Sequence, residues 1–558
     1  MKKIIDENYY DFIVDSNSAI LDNPNYFTRF TQRYSILHTI SDDVNMCDLG
    51  RQPYHEFPTL YTLSSQLSLE SSGIPQIQQN SALALFGFGV IVAVIDTGID
   101  YRHPAFRYND GTSRILSIWD QTIQEGIPPE SFEFGTEYGK EIIDIALQTE
   151  EPMSIVPTID TNGHGTAIAS IAAGSYDRES FFSGVAPQSE FVIVKLKGAK
   201  QNLRKMFCVP EDAICYQETD VIFGMRYALE TATKLNRPLI VCIAIGSSHG
   251  GHEALGAASV YIDYLTQLSH IAVSVAAGNE GDKHRHYYGN VLSPPFVDEF
   301  ELKVSEKDSC FSFELWSDFL ARLSIQIVAP SGEKSPVIYP SIKDCNHYQF
   351  IFGKENIWIN NILIEKENAT QLILVRISNA TEGVWRIYVG NISKAPFSFD
   401  CWLPSGELIS NETFFMPSDP NTTITCPGNT VPALTTTAYD QAGNSIITEA
   451  SRGYTRIGRV KPDVAAPGSR IPCAVPQDEY SILTGTGAAA AHAAGVIAMV
   501  LEWAVVRGNY TSITGNDIRS LIIQSADRDP TYVYPNNIWG YGSLNINALF
   551  EFLTYIRQ

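Results

Sequence analysis

Polar and apolar positions along the chain fall into three regimes. In the first seventy or so residues, YYDFIVD and YSILHTI alternate as strands do, and NPNYFTRFTQR between them has the spacing of a short helix. FPTLYTLSSQ follows as an extended segment around Pro58. From about residue 85, short β-branched runs take turns with amphipathic segments. GVIVAVID, FVIVKLK, PLIVCIAIGS and IAVSVAAGN read as strands buried on both faces. GHGTAIASIAAGS, TDVIFGMRYALETATKLN and GAASVYIDYLTQLSH read as the helices between them. This alternation predicts an α/β unit, a parallel sheet with helices on both faces, whose sites form at the carboxyl ends of strands.

After about residue 295 the period becomes two. FELKVSEKDSCFSFELW, ARLSIQIVAP, QLILVRIS, GVWRIYVGN and FSFDCWL predict an antiparallel β-sandwich. The aromatics of FSFELW and GVWRIY alternate, which places them in a core rather than on a sugar-binding face. Near residue 415 the first pattern resumes with ALTTTAYD, RVKPDVAAPG and a long apolar helix from about Gly487 to Val506. The expected organisation is a separate N-terminal α+β unit over residues 1–66, the α/β domain over 67–295 and 413–558, and a β-sandwich inserted at 296–412.

Composition narrows the function. Of 558 residues, 44% are hydrophobic and 18% charged, as in globular chains. The net charge of -23 argues against sequence-independent nucleic-acid binding and against docking on anionic lipid. No run of eighteen apolar residues predicts a membrane span. Asp6 and Glu7 interrupt any apolar core behind the basic start, so the expectation is synthesis without a signal peptide and an intracellular setting. Nine scattered cysteines without a CxxC pair read as reduced thiols rather than disulfides or a zinc site. No cofactor and no metal site is expected. His284 and His286 lack a ligand set and read as a solvated loop, and His103 and His492 read as structural.

Four positions stand where chemistry is expected. Asp96 ends a strand before TGID, His164 opens a helix in NGHGT, Asn279 follows a strand in AAGNEG, and Gly487 opens the last long helix in TGTGAAAAHAAG. The ordered set DTGID, HGT, AAGN and GTGAAAA, with GVAP at 184–187 and KPDVAAPG at 461–468, resembles the subtilisin-like (S8) serine peptidases. The resemblance implies that Asp96 orients His164, that His164 is general base and then acid, and that the Asn279 amide donates to the oxyanion. It implies Ala244, Ile245 and Gly246 as the substrate-binding strand, where the family usually has Ser-Leu-Gly. The family's nucleophilic serine falls on Gly487, which has no hydroxyl, and its following proline on Ala491. Thr486, one residue off, points about 100° away around a helix. Losing the serine alone costs subtilisin about 2 × 10⁶ in kcat, nearly as much as losing the whole triad.

The sandwich inserted before the serine position, the short N-terminal unit, and the segment SLESSGIPQIQQNSALALFGFGVIVAVIDTGIDYRHPAF resemble the clostridial Csp subtilases of spore germination. That group implies a prodomain at the N-terminus, an inserted jelly-roll, and some members that are CspC-like pseudoproteases. It implies a prodomain held in the cleft, germination proteins as partners, a small-molecule germinant as a possible ligand, and a place in the spore. Pseudoproteases of the group lose the histidine as well as the serine, whereas His164 is kept here. Three readings stand: a catalytically dead regulator, a germination endopeptidase whose serine has been replaced at position 487, or a chain whose β insertion is the functional part, for example a carbohydrate-binding module on cortex peptidoglycan.

Overall fold

The computed structural model describes residues 3–16, 27–29, 33–40, 47, 52–63, 70–292, 296–342 and 344–556. The α/β unit is built on a nine-stranded sheet. Its order is Ser445–Ile446, Leu434–Asp440, Ile271–Ala276, Leu239–Ile243, Ile91–Asp96, Glu190–Lys195, Ile115–Asp120 and Thr136–Gly139, with Val464–Pro467 paired onto Leu434–Asp440. Interior neighbours run parallel, and Ser445–Ile446 and Thr136–Gly139 are antiparallel edges. All six residues of Ile91–Asp96 are buried, which is why that run is apolar without alternation. Val92 and Val94 face a core shared with the helices His164–Ala173 and Thr486–Leu501. Ile91, Ala93 and Ile95 face the helices Glu218–Leu235 and Ala257–Gln267. The fold is the subtilisin-like α/β arrangement. ILSIWD and TEYG, which form the Ile115–Asp120 and Thr136–Gly139 strands, carry too many polar residues to stand out in the sequence pattern.

The helix Thr486–Leu501 runs through the domain with all sixteen residues buried. Its small residues answer to close packing: a methyl at Gly495 would sit 2.5 Å from Ala172 O and 2.4 Å from Val185 Cβ. With its continuation to Val506 it is, among the described residues, the one helix long and apolar enough to cross a membrane, yet 83% of its apolar window is buried in this core.

The insert folds as two antiparallel sheets of six and four strands. Trp316 and Trp385 are fully buried. The sandwich starts earlier and ends later than the sequence pattern predicts. Its first strand is His286–Val291, paired with Phe397–Trp402, and its last is Phe414–Met416. HYYGNV alternates in burial but uses His, Tyr, Gly and Asn, so hydropathy hides it. His286 is thus a core residue and not part of a solvated loop: its Nε2 lies 2.9 Å from Asp400 Oδ1 and its ring stacks on Trp402.

The N-terminal unit is a three-stranded sheet of Tyr9–Asp15, Tyr34–Ile40 and Phe27–Arg29. The helix expected over NPNYFTRFTQR is corrected where it is described: Phe27–Arg29 is a strand, paired with Ser35 to Leu37. The rest of that stretch, apart from Arg33, lies outside the described residues. Tyr10, Phe12 and Phe57 of this unit share one core with Leu203, Met206 and Phe207 of the α/β domain and Trp316, Leu372 and Trp402 of the insert. The reduced-thiol expectation is also corrected. Cys47 pairs with Cys345 and Cys208 with Cys310, with Cα separations of 5.1 and 5.2 Å. The partners are 298 and 102 residues apart in sequence, so spacing could not reveal them. One pair ties the N-terminal unit to the insert, the other the α/β domain to the insert.

All three parts meet on the buried carboxyl of Glu314. It accepts from Tyr54 Oη, from Gly250 N at 2.9 Å and from Trp316 Nε1 at 3.0 Å. Burial pushes it up to about 7. A carboxyl raised in the folded state contributes fully below its ordinary 4.5, and that contribution is lost as pH rises toward 7. A glutamine can keep the same partners, its carbonyl taking both N–H groups and its amide meeting Tyr54. Glu314→Gln should therefore gain on the parent by about 1–3 kcal/mol between pH 4.5 and 7.5. Paired denaturation curves measure this, and a parent-to-variant difference independent of pH contradicts it.

Candidate active site and substrate cleft

Asp96, the last residue of its strand, and His164, the first of its helix, meet at the carboxyl edge of the sheet. His164 Nδ1 lies 2.8 Å from Asp96 Oδ1, which also accepts from Thr97 N at 2.7 Å. Both residues are buried. The neighbouring motif residues are what bring them together. Thr97 Oγ1 accepts from Gly165 N at 2.8 Å, and Thr166 Oγ1 accepts from Asp100 N at 3.0 Å. Asp160 accepts from Gly163 N, Thr166 N and Thr166 Oγ1 at 2.8, 3.0 and 2.7 Å, satisfying N–H groups that open the helix. Gly165 is demanded by contact: a methyl there would lie 2.2 Å from Gly98 O.

Asn279 stands beside the start of the Thr486–Leu501 helix. Its Oδ1 accepts from Thr486 N at 3.1 Å and from Thr486 Oγ1 at 3.2 Å. With the carbonyl so engaged, the amide N–H₂ faces the other way, as an oxyanion donor must. Thr486 Oγ1 in turn accepts from Gly278 N at 3.0 Å, and the residue is fully buried. Its hydroxyl orients this loop and is not presented as a nucleophile. Gly487 is the second residue of the helix and is buried.

Ala244, Ile245 and Gly246 lie where the Leu239–Ile243 strand leaves the sheet, and the cleft beside them is filled. Ile245 and Gly246 pair antiparallel with Leu63 and Thr62, and on its other side the same strand pairs Leu60 and Tyr61 with Gln217 and Tyr216. The chain's own segment Leu60–Leu63 therefore makes the middle strand of a three-stranded sheet. Residues 64–66, the end of the expected N-terminal unit, lie outside the described residues.

Next to Asn279 is a cavity of about 190 Å³ walled by both domains. Gly246 and Gly278 meet Thr425 there, each too close for a methyl. Glu280 and Arg285 pair at 3.0 Å, Arg285 donates to Asn411 Oδ1, and Gly406 N donates to Glu280. The insert thus forms one wall of the cleft. Sequence reading does not find Asp160, Thr425 or Asn411. Asp160 carries a signal, an acidic residue shortly before a helix start; the other two carry none.

His103 and His492 are structural. His103 Nδ1 accepts from Ala105 N at 3.1 Å, and its Nε2 meets Glu479 O. His492 Nε2 meets Ser72 Oγ at 2.9 Å, and burial drives its pKa down to about 3, so it is neutral. Among the described residues no group of His, Cys, Asp and Glu is arranged to hold a metal ion.

This arrangement, a strand-end aspartate paired to a helix-start histidine with an asparagine beside the central helix, is that of a subtilase. The sequence profile of the Subtilase family (Peptidase S8) matches residues 87–294 and 390–542, and the chain belongs to that family. The structure of the Clostridium perfringens CspB protease is similar with a TM-score of 0.78 and 27% identity, over 88% of this chain and 97% of that one. The C5a peptidase of Streptococcus pyogenes serotype M18 is 22% identical over 443 residues, 74% of this chain and 35% of that protein. Subtilisin-like protease SBT3 of Solanum lycopersicum is 24% identical over 496 residues, 79% of this chain and 58% of that one. The chain spans about a third of the length of the C5a peptidases it matches.

The contact between Gly165 and Gly98 yields a direct test. Gly165→Ala should destabilise the domain by about 2 kcal/mol or more, because backbone rather than a flexible side chain must give way. Thr166→Val, which strips the hydroxyl from Asp160 and Asp100 N, should cost about 1–3 kcal/mol. Urea denaturation measures both, and unchanged midpoints would show that the helix is positioned otherwise.

Proposed function

We propose that this chain is a non-catalytic subtilase, a peptide-binding regulator of spore germination whose cleft retains its own N-terminal segment uncut. The observation that carries this reading is Gly487: the position from which a serine would attack has no side-chain atom for His164 to deprotonate. Thr486, the adjacent hydroxyl, is committed to Gly278 and Asn279. The strand Leu60–Leu63 lying in the cleft fits a site that binds an extended peptide through its backbone. Likeness to the CspB protease over nearly the whole of that protein supports placing the chain in the Csp group. On this reading it acts on a partner rather than on a peptide bond. The partner is a germination protease, or the cortex-lytic hydrolase precursor that such a protease activates, and the setting is the spore.

One observation favours a second reading. The Asp96–His164 pair and the Asn279 orientation are kept in working geometry, as in an active endopeptidase whose serine has been replaced at 487. The two readings separate in one experiment. The full chain should run as a single band of about 62 kDa on a reducing, denaturing gel, where the Cys47–Cys345 bond no longer holds a cut N-terminal unit in place, and Gly487→Ser should leave it whole if the site is regulatory. Release of the N-terminal unit by Gly487→Ser would favour the second reading, and two bands from the unaltered chain would overturn the first.

A further inference from the structure

Three chain crossings close one end of the inserted sandwich. His286–Val291 crosses to Val297–Val304, Cys310–Ser317 to Leu323–Val328, and Gly383–Asn391 to Phe397–Trp402, each passing from one sheet to the other. Hydrogen bonds hold the crossings side by side. Asn391 Nδ2 donates to Val291 O at 3.3 Å, Ile392 N to Arg322 O at 2.9 Å, and Asp318 N to Ser398 O at 3.0 Å. This end lies a strand's length, roughly 15–20 Å, from Trp402, whose ring stacks on His252 of the α/β domain.

The crossings put large apolar side chains into solvent. Leu292, Phe296 and Val297 on the first, Phe319 and Leu320 on the second, and Ile392 on the third are each 45–72% exposed. One exposed apolar residue is ordinary, but six together on one end are not. Leu320 also sits in the left-handed region, at φ 70°, where a glycine would be free and a leucine is strained. Folding does not explain an exposed leucine in a conformation that suits glycine.

Charge at this end runs against the rest of the protein. The chain has a net charge of -23, yet residues 291–297, 318–322 and 391–397 carry only Asp318, Arg322 and Lys394. Asp318 is committed to Ser398, whose backbone N–H and hydroxyl both donate to it. Asp298, just outside, accepts from Tyr287 Oη at 2.9 Å. Arg322 and Lys394 are both exposed.

We propose that the insert docks on an anionic lipid surface by this end. Phe296, Phe319, Leu320 and Ile392 dip below the phosphates, and Arg322 and Lys394 lie against them. Charge selects the occupant: lipid phosphate complements the two cations, whereas a second copy of this chain brings mostly acid. Residue type agrees. Protein interfaces centre on Tyr and Trp, and these crossings contain neither. The acidic α/β domain stands off by more than the distance of about 8 Å over which charge acts at physiological salt. The inference rests on the insert alone and holds whether or not the cleft cuts.

Co-sedimentation of the full chain with vesicles tests this. At physiological salt, vesicles of phosphatidylcholine mixed with phosphatidylglycerol should bind the chain, and pure phosphatidylcholine about tenfold more weakly. Phe319→Ser should weaken binding to the mixed vesicles about tenfold. Leu320→Gly, which suits its backbone, should do the same while leaving thermal stability unchanged or raised. Arg322→Gln should weaken binding about fivefold, and on the mixed vesicles only. All three side chains are exposed, so the variants keep the fold. The proposal is overturned by a chain that stays in solution with both kinds of vesicle, by binding undiminished in Phe319→Ser and Leu320→Gly, or by equal affinity for the two kinds. Sedimentation velocity without lipid gives one more outcome: a dimer that Leu320→Gly abolishes would make this end an interface between copies and overturn the proposal.

Discussion

What happens at the carboxyl edge of the sheet rests on how closely the His164 helix approaches the Asp96 strand. Backbone meets backbone at Gly165 and Gly98, with no room for a methyl group. Only at that separation can Thr97 reach Gly165 N and the imidazole reach the Asp96 carboxylate. Asp160 then satisfies the N–H groups that the helix start would otherwise bury unpaired. The dyad is a consequence of packing, and packing persists whether or not a nucleophile stands opposite. A chain that lost its serine would keep the geometry because the fold needs it.

The same logic explains the filled cleft. Leu60–Leu63 is held on both edges by backbone pairing, and its parent unit is held by a core to which three parts of the chain contribute. Glu314 takes hydrogen bonds from all three, and two disulfides join the insert to the other two. An insert fastened in this way stiffens the assembly and also walls the cavity beside Asn279. The prodomain-like unit is thereby anchored in the same core as Leu60 of the strand that occupies the cleft.

Much of this was legible in the sequence because the relevant residues are forced by local physics. Buried parallel strands must be apolar throughout, so Ile91–Asp96 and Leu239–Ile243 announce themselves. Glycines at close approaches and a histidine at a helix start mark the site. Other features had no local signature. Cys208 and Cys310 are neighbours only once the insert has docked. His286 sits in a strand whose buried residues are His, Tyr, Gly and Val, and hydropathy gives it little weight. Thr425 becomes the floor of the cleft only because Gly246 and Gly278 leave it room. Glu502 clamps a loop more than four hundred residues earlier, a pairing that no pattern along the chain encodes.

Whether the cleft binds without cutting is measured most directly by its reactivity toward a fluorophosphonate. Such a reagent phosphonylates a serine hydroxyl activated by a neighbouring histidine. Incubated with the full chain, and again after the N-terminal segment has been removed by limited proteolysis, it should add no mass by intact-protein mass spectrometry. A stoichiometric adduct that requires the folded protein and maps to any hydroxyl beside His164 would contradict the account.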